Sequence, residues 1–351
     1  MNVRAIRLLF AVLCGWGGAV ADDGDDGIHV SAYYYPWYHT DGRHWSEGYD
    51  GQGTGRAPAL GEYSSRDAKV VERHLDSSEK AGIDNWICSW WGPDSWEDET
   101  LRSHVLPKLE GRATTFCILY ESEGLLGLDE KEGIRFDLAT TEKFLSHIRF
   151  LCDHCFNHPA YLKVDGKPVV YLYLSRCFAG DYERALLKAR AVAEARGHSL
   201  YLVGDEVYWG EPNPERIAQY DAVTAYNLHG PTGYGERRDW VGFVIDCGEV
   251  YRSHRAAAAE RGVAFIPGVI PGFDTRGRHY AIPRELFPGA GPDTTLAAFL
   301  GMAKECLDPA LRSVAVTSFN EWHEGTQIEP AKDGENGGGV LKGFLKPEGG
   351  R

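Results

Sequence analysis

Basic residues are outnumbered: 37 Lys and Arg stand against 51 Asp and Glu in 351 residues, a formal net charge of −14. No face able to neutralise rows of phosphates is expected on such a chain, which makes nucleic acid and anionic membrane poor partners. The uncharged run from Leu8 to Ala21 has 14 residues, short of the roughly 20 that span a bilayer. No Gly-x-Gly-x-x-Gly turn follows the first strand-like segment, so a dinucleotide crevice is not indicated. Cys152-Asp153-His154-Cys155 with His158 gives half a zinc site, but no second Cys pair lies at a matching distance and structural zinc wants four ligands. His39, His44 and His158 show no converging spacing either, so neither metal nor other cofactor is expected. Methionine is almost missing, with 2 residues beside 10 Trp and 18 Tyr. That is an excess of flat rings that bury one face and present a polar edge, as sugar clefts and ordinary cores both do.

Arg4 and Arg7, the apolar run, the close at Ala19-Val20-Ala21 and the acidic Asp22 to Asp26 have the three-part outline of a secretory signal peptide, residues 1–21. Cleavage leaves a soluble, exported chain, secreted or periplasmic, with no membrane insertion. Losing Cys14 from eight cysteines leaves seven, so at least one thiol has no partner within the chain. Cys152 and Cys155 read as a local disulfide or as two reduced, half-buried thiols, and Cys88, Cys117, Cys177 and Cys247 as small core residues. Residues 331–351 are rich in Gly and Lys and read as a trailing loop.

Between them, residues 22–330 hold no linker, low-complexity tract or internal repeat, so a single monomeric domain is expected. Eight short apolar runs of buried-strand type recur: Ile28–Tyr35, Ile83–Trp90, Thr114–Tyr120, Pro168–Leu174, Ser199–Asp205, Ala222–Tyr226, Val263–Val269 and Ser313–Phe319. Helix-compatible stretches lie between them, among them Ser64–Ala81, Thr140–Asn157, Asp181–Arg196, Phe243–Arg261 and Thr294–Cys306. Strands alternating with helices imply parallel pairing. Eight such units predict an α/β fold of the (β/α)8 barrel type, in which functional residues gather where each strand runs into its following loop.

Those ends carry carboxylates and rings. The first offers Tyr35 and Trp37, the second Trp90 and Trp91, the third Glu121 with Glu123 as a rival, the fifth Glu206, the sixth Tyr226, and the eighth Asn320, Glu321, His323 and Glu324. Carboxylates among aromatic platforms, without a metal cluster, a Ser-His-Asp set or a nucleotide loop, point to hydrolysis of a glycosidic bond. That chemistry needs one protonated carboxyl and one ionised carboxylate. Glu321 and Glu324 are close enough in sequence to push each other's pKa values apart. A helix-start capping arrangement on the last loop would explain the same spacing.

Tyr33-Tyr34-Tyr35-Pro36-Trp37-Tyr38, Gly61-Glu62-Tyr63-Ser64-Ser65-Arg66-Asp67, Asn157-His158-Pro159-Ala160-Tyr161 and the thirteen residues from Ser318 to Pro330 resemble, in order, glycoside hydrolase family 99. The resemblance implies a (β/α)8 barrel that cuts within α-mannosyl chains, of N-glycans or of mannan, with retention and without a metal. Glu324 would match the acid/base, and Glu321 the carboxylate that deprotonates the sugar's own 2-hydroxyl. Tyr35, Trp90 or Trp91, Glu121 and Tyr226 would line the sugar sites, with Asn320 and His323 orienting the carboxylates; Trp37 and Glu206 are further substrate-binding candidates from their strand ends. Where the family carries a His-x-Glu-Pro-type segment, this chain has Cys117 to Glu123. The alternatives from the residues themselves are a sugar-binding barrel without turnover and a hydrolase of another α-glycan.

Overall fold

The computed structural model describes residues 27–46, 57–129, 131–228, 240–274, 285–286, 292–332, 334 and 337–345. The expected signal peptide lies outside them. Nine strands form the core sheet: β1 (His29–Tyr34), β2 (Asn85–Trp90), β3 (Thr115–Tyr120), β4 (Lys167–Leu172), β5 (Tyr201–Asp205), β6 (Ala222–Thr224), β7 (Ala264–Ile266), β8 (Gly268–Val269) and β9 (Ser313–Val316). Each pairs in parallel with its neighbour, and β1 joins β9 with His29 opposite Ser313. β7 pairs with β6, and β8 with β9. The two are one run interrupted at Pro267, whose ring nitrogen has no hydrogen to donate. Its carbonyl still accepts from the Ala315 N–H at 3.1 Å. Counted as one strand, they complete the expected eight-unit barrel.

Among the described residues the longer helices are α1 (Ala68–Ala81), α2 (Leu138–His154), α3 (Tyr182–Glu194), α4 (Trp240–Glu260), α5 (Pro292–Glu305) and α6 (Gly337–Leu345). α1 shows why they form where they do. The Asp67 carboxylate caps its start by accepting from the Lys69 N–H at 2.8 Å, and Gly82 at φ +80° ends it. Val71, His74, Leu75 and Ser78 recur at helical spacing and are buried against the sheet. α6 is a departure from the trailing loop expected of residues 331–351. Its buried face of Gly337, Leu341 and Leu345 packs back on the barrel, and a Cβ on Gly337 would stand 2.7 Å from Ile328. At Gly337 the small residue reflects close approach to the barrel.

Strand alternation sorts the rings. Ser31, Asn85 and Cys117 face the barrel axis, where the Asn85 amide donates to Ser31 Oγ at 3.1 Å and to Cys117 Sγ at 3.4 Å. Tyr33 meets Tyr171 and Tyr226 edge-on one layer higher. Tyr34 points the other way, stacked on Trp86 with centroids 4.1 Å apart, towards His74 of α1. A smaller apolar cluster of Tyr38, Tyr63, Val70, Trp322 and Ala331 sits apart from the main core and packs the last loop against the first. All seven cysteines from Cys88 to Cys306 are free, so Cys152 and Cys155 form no disulfide, and both thiols are buried outright. Among the described residues no helix is long and apolar enough to cross a membrane.

Candidate active site

The strands' carboxyl ends open into a cavity of about 360 Å³ lined by Glu321, Glu324, Glu121, Glu123, Tyr35, Trp37, Trp91, Tyr173 and Tyr226, with Arg43, His44 and Glu97 at its wall. The last loop carries two of these carboxyls and is tied down through its backbone. Ser318 N–H donates to the Thr326 carbonyl and Ile328 N–H to the Ser318 carbonyl, closing the segment on itself. Within it the Glu321 N–H donates to Ser318 Oγ at 2.7 Å, and Glu321 Oε1 accepts from the His323 N–H at 2.8 Å. The Glu321 side chain is thus aimed by its own loop.

Asn320 and His323 are beside the cavity, not in its lining. Asn320 Oδ1 accepts from the Tyr35 N–H at 2.8 Å while its amide donates to the Tyr35 carbonyl at 3.0 Å, reproducing with a side chain the pairing of a neighbouring strand. Glu329 closes the same loop from below. Its carboxylate accepts from Tyr63 Oη at 2.9 Å and Trp322 Nε1 at 2.8 Å, and meets His74 Nε2 at 3.1 Å. His74 in turn reaches Tyr34 Oη at 3.2 Å. A buried carboxylate with three partners is costly to disturb, so this network fixes the loop relative to β1 and α1.

Two further expected residues lie elsewhere. Trp90 follows the outward parity of Trp86 and Cys88. It is fully buried, donates from Nε1 to Asp98 at 2.9 Å and stacks over Phe150, while Trp91 turns into the cavity. Glu206 is taken up by Arg216, 2.9 Å away, and by the Ser175 hydroxyl at 2.8 Å, outside the cavity lining. Its neighbour Asp205 acts on the site at one remove. One oxygen accepts from the Tyr226 N–H at 3.0 Å, and the other is held by Arg176. Tyr173, Arg43 and Glu97 were not among the sequence candidates. Tyr173 had a signal, because it sits two residues past inward-facing Tyr171. Arg43 sits in a loop and Glu97 in the five-residue helix Trp96–Thr100, both too short and irregular for periodicity to mark them.

Electrostatically the cavity favours protonated groups. Burial drives Glu121 up to about 8, an accepted bond from Ser89 pulls the other way, and the fields of Glu123, Glu324 and Glu97 add to the rise. The phenols of Tyr35, Tyr173 and Tyr226 are raised by burial, with Glu324 among the nearby charges acting on each. Tyr35 and Tyr226 share a hydrogen bond of 2.5 Å between their hydroxyls. The rings of Tyr35, Trp37, His44 and His323 form a continuous row, with successive centroids 4.4, 3.8 and 4.5 Å apart. One ligand atom each of His44, Glu321 and His323 lies within 4.8 Å of the others. The two imidazoles are within 14° of parallel, however, so their in-plane lone pairs do not converge on a common point as ligation requires. The trio fits a stacked wall better than a metal site.

A family model described as Glycosyl hydrolase family 99 matches residues 15–336. Among similar proteins, the glycoprotein endo-alpha-1,2-mannosidase of Mus musculus is 26% identical over 341 residues, covering 86% of this chain and 68% of that protein. A glycoprotein endo-alpha-1,2-mannosidase-like protein of Homo sapiens is 26% identical over 357 residues, covering 94% and 70%. In fold, the chain resembles the GH99 endo-alpha-mannosidase of Bacteroides thetaiotaomicron, with a TM-score of 0.65 at 21% identity, over 90% of this chain and 95% of that one. A structure described as a glycoside hydrolase-like protein gives 0.72 at 19% identity, over 94% and 96%.

Proposed function

The chain belongs to glycosyl hydrolase family 99, and from that membership we propose that this glycoside hydrolase cuts α-mannosidic linkages inside mannan or N-glycan chains, with retention of configuration. The observation that carries the proposal is the pair Glu321 and Glu324 on one braced loop, both lining a cavity walled by Tyr35, Trp37, Trp91 and Tyr226. A retaining pair that attacks from opposite faces of the sugar would come more naturally from two strands. Two carboxyls on one loop suit a different division of labour. Glu321 takes the proton of the sugar's 2-hydroxyl as that oxygen attacks the anomeric carbon, and Glu324 gives its proton to the departing oxygen. Water then opens the anhydro-sugar as both protons return. The rings offer apolar faces to the sugars, and Glu121 and Glu123 offer polar contacts.

The N-terminal pattern of Arg4, Arg7, Leu8–Ala21 and the small-residue close supports export as the route by which the enzyme meets a glycan. To test the proposal, wild-type chain and Glu324→Gln are incubated with yeast mannan and with a glucosylated high-mannose glycan, and released oligosaccharides are weighed by mass spectrometry. Wild type releases product, and the variant is slower by roughly 10²- to 10⁴-fold, the contribution of a positioned general acid. Binding without release by wild type would instead make the chain a sugar-binding barrel.

A further inference from the structure

Ser89 is the last inward-facing residue of β2 and is fully buried. Its hydroxyl donates to Glu121 Oε1 at 2.6 Å and accepts from Trp91 Nε1 at 2.9 Å. An indole N–H only donates, so Ser89 accepts from Trp91, and in the structure the serine proton is directed at Glu121 Oε1. Trp91 is trapped on its other side, because a Cβ on Gly124 would stand 2.3 Å from the indole ring, which therefore lies directly on the backbone there. Trp91 and Glu121 both line the cavity, whereas Ser89 does not.

We propose that Ser89 is a positioning residue for substrate binding: by occupying Glu121 Oε1 it confines the Glu121 proton to Oε2, aimed into the cavity as a donor to a sugar oxygen, and by accepting from Trp91 it holds the platform against which that sugar lies. The identity of the acceptor as a sugar oxygen rests on the proposed function, but the relay itself does not. The groups facing Glu121 suit a neutral donor. Glu123, Glu97 and Glu324 oppose its ionisation, Tyr35 and Tyr173 are neutral phenols, and Arg43 and His44 stand at the cavity wall. Burial holds the Glu121 carboxyl at about 8, so the protonated form is the prevailing one at neutral pH.

The test follows the Glu121 carboxyl directly, by ¹³C NMR of the Glu-labelled protein between pH 5 and 10, with Glu121→Gln identifying the signal. Ser89→Ala removes a donor to the carboxylate and moves the midpoint up by about one pH unit. Ser89→Cys, with a weaker donor of similar size, falls between. In Ser89→Ala the KM for a mannooligosaccharide rises several-fold while kcat changes less, since the platform and the donor serve binding. A buried serine of merely structural importance would lower stability without moving the midpoint. A midpoint unmoved in both variants overturns the relay. Absence of mannoside cleavage by wild type sinks the proposed substrate instead and leaves the titration readable. Near-ultraviolet circular dichroism confirms that each variant keeps its fold, and Ser89→Cys carries the titration should Ser89→Ala lose it.

Discussion

At the scale of single residues, the cavity's chemistry turns on which carboxyls hold protons. Glu121 has a folded-state pKa raised from 4.5 to about 8. A group raised in this way contributes its full stability below the unfolded value, and that contribution is lost as pH rises through the folded value. The loss therefore runs between about 4.5 and 8, at roughly 1.4 kcal/mol for each pH unit. Glu121→Gln, which cannot ionise, escapes it. Urea melts at pH 5 and pH 8.5 are expected to show the variant gaining on wild type as pH rises, and parallel curves at both values would remove Glu121 as the titrating group. The same residue illustrates what was legible. Its place after an apolar strand marked it as a rim carboxyl beside Glu123, whereas its protonation depends also on Ser89 and Glu324, which only the fold brings near it.

At the scale of elements, the loop from Ser318 to Pro330 supplies two cavity carboxyls and is held by a third, Glu329. Replacing Glu329 with Gln exchanges a charged acceptor for a neutral amide where Tyr63, Trp322 and His74 converge, weakening the bonds from Tyr63 and Trp322 and fixing the His74 tautomer. About 1–3 kcal/mol of stability is expected to go. Turnover should fall with it, because Trp322 lies between the two cavity carboxyls in sequence. Chemical denaturation beside initial rates checks this, and full stability with full activity would mean the network is ornamental. The strands were readable as apolar runs, and all eight appear. Trp90 and Glu206 were misplaced for different reasons. In the doublet Trp90-Trp91 periodicity marks a pair, but only the register with Ser89 and Glu121 says which ring faces inward. Glu206 follows its strand as the others do, yet Arg216 and Ser175 claim it from segments too distant for spacing to reveal. The α6 helix was hidden because glycine is a poor helix former, and only the contact of Gly337 with Ile328 shows why one belongs there.

At the scale of the whole molecule, the seven described cysteines are all free, and six of them are buried, with Cys177 half-exposed. A protein built this way draws its stability from core packing and polar networks, not from cross-links. A large excess of dithiothreitol is expected to leave the thermal midpoint unchanged, and an aromatic disulfide reagent to label Cys177 well ahead of the rest. A midpoint lowered by reductant would reveal a bridge that packing does not show, since losing one typically costs about 2–5 kcal/mol.

The Asn320 carboxamide, which pairs with the backbone of Tyr35, gives the barrel one more property. It lies at the seam where the first strand of the chain meets the last, and it belongs to the segment that bears Glu321 and Glu324. Fastening the ring and completing the site use one and the same segment: without it the barrel keeps Glu121 and most of the wall but neither Glu321 nor Glu324.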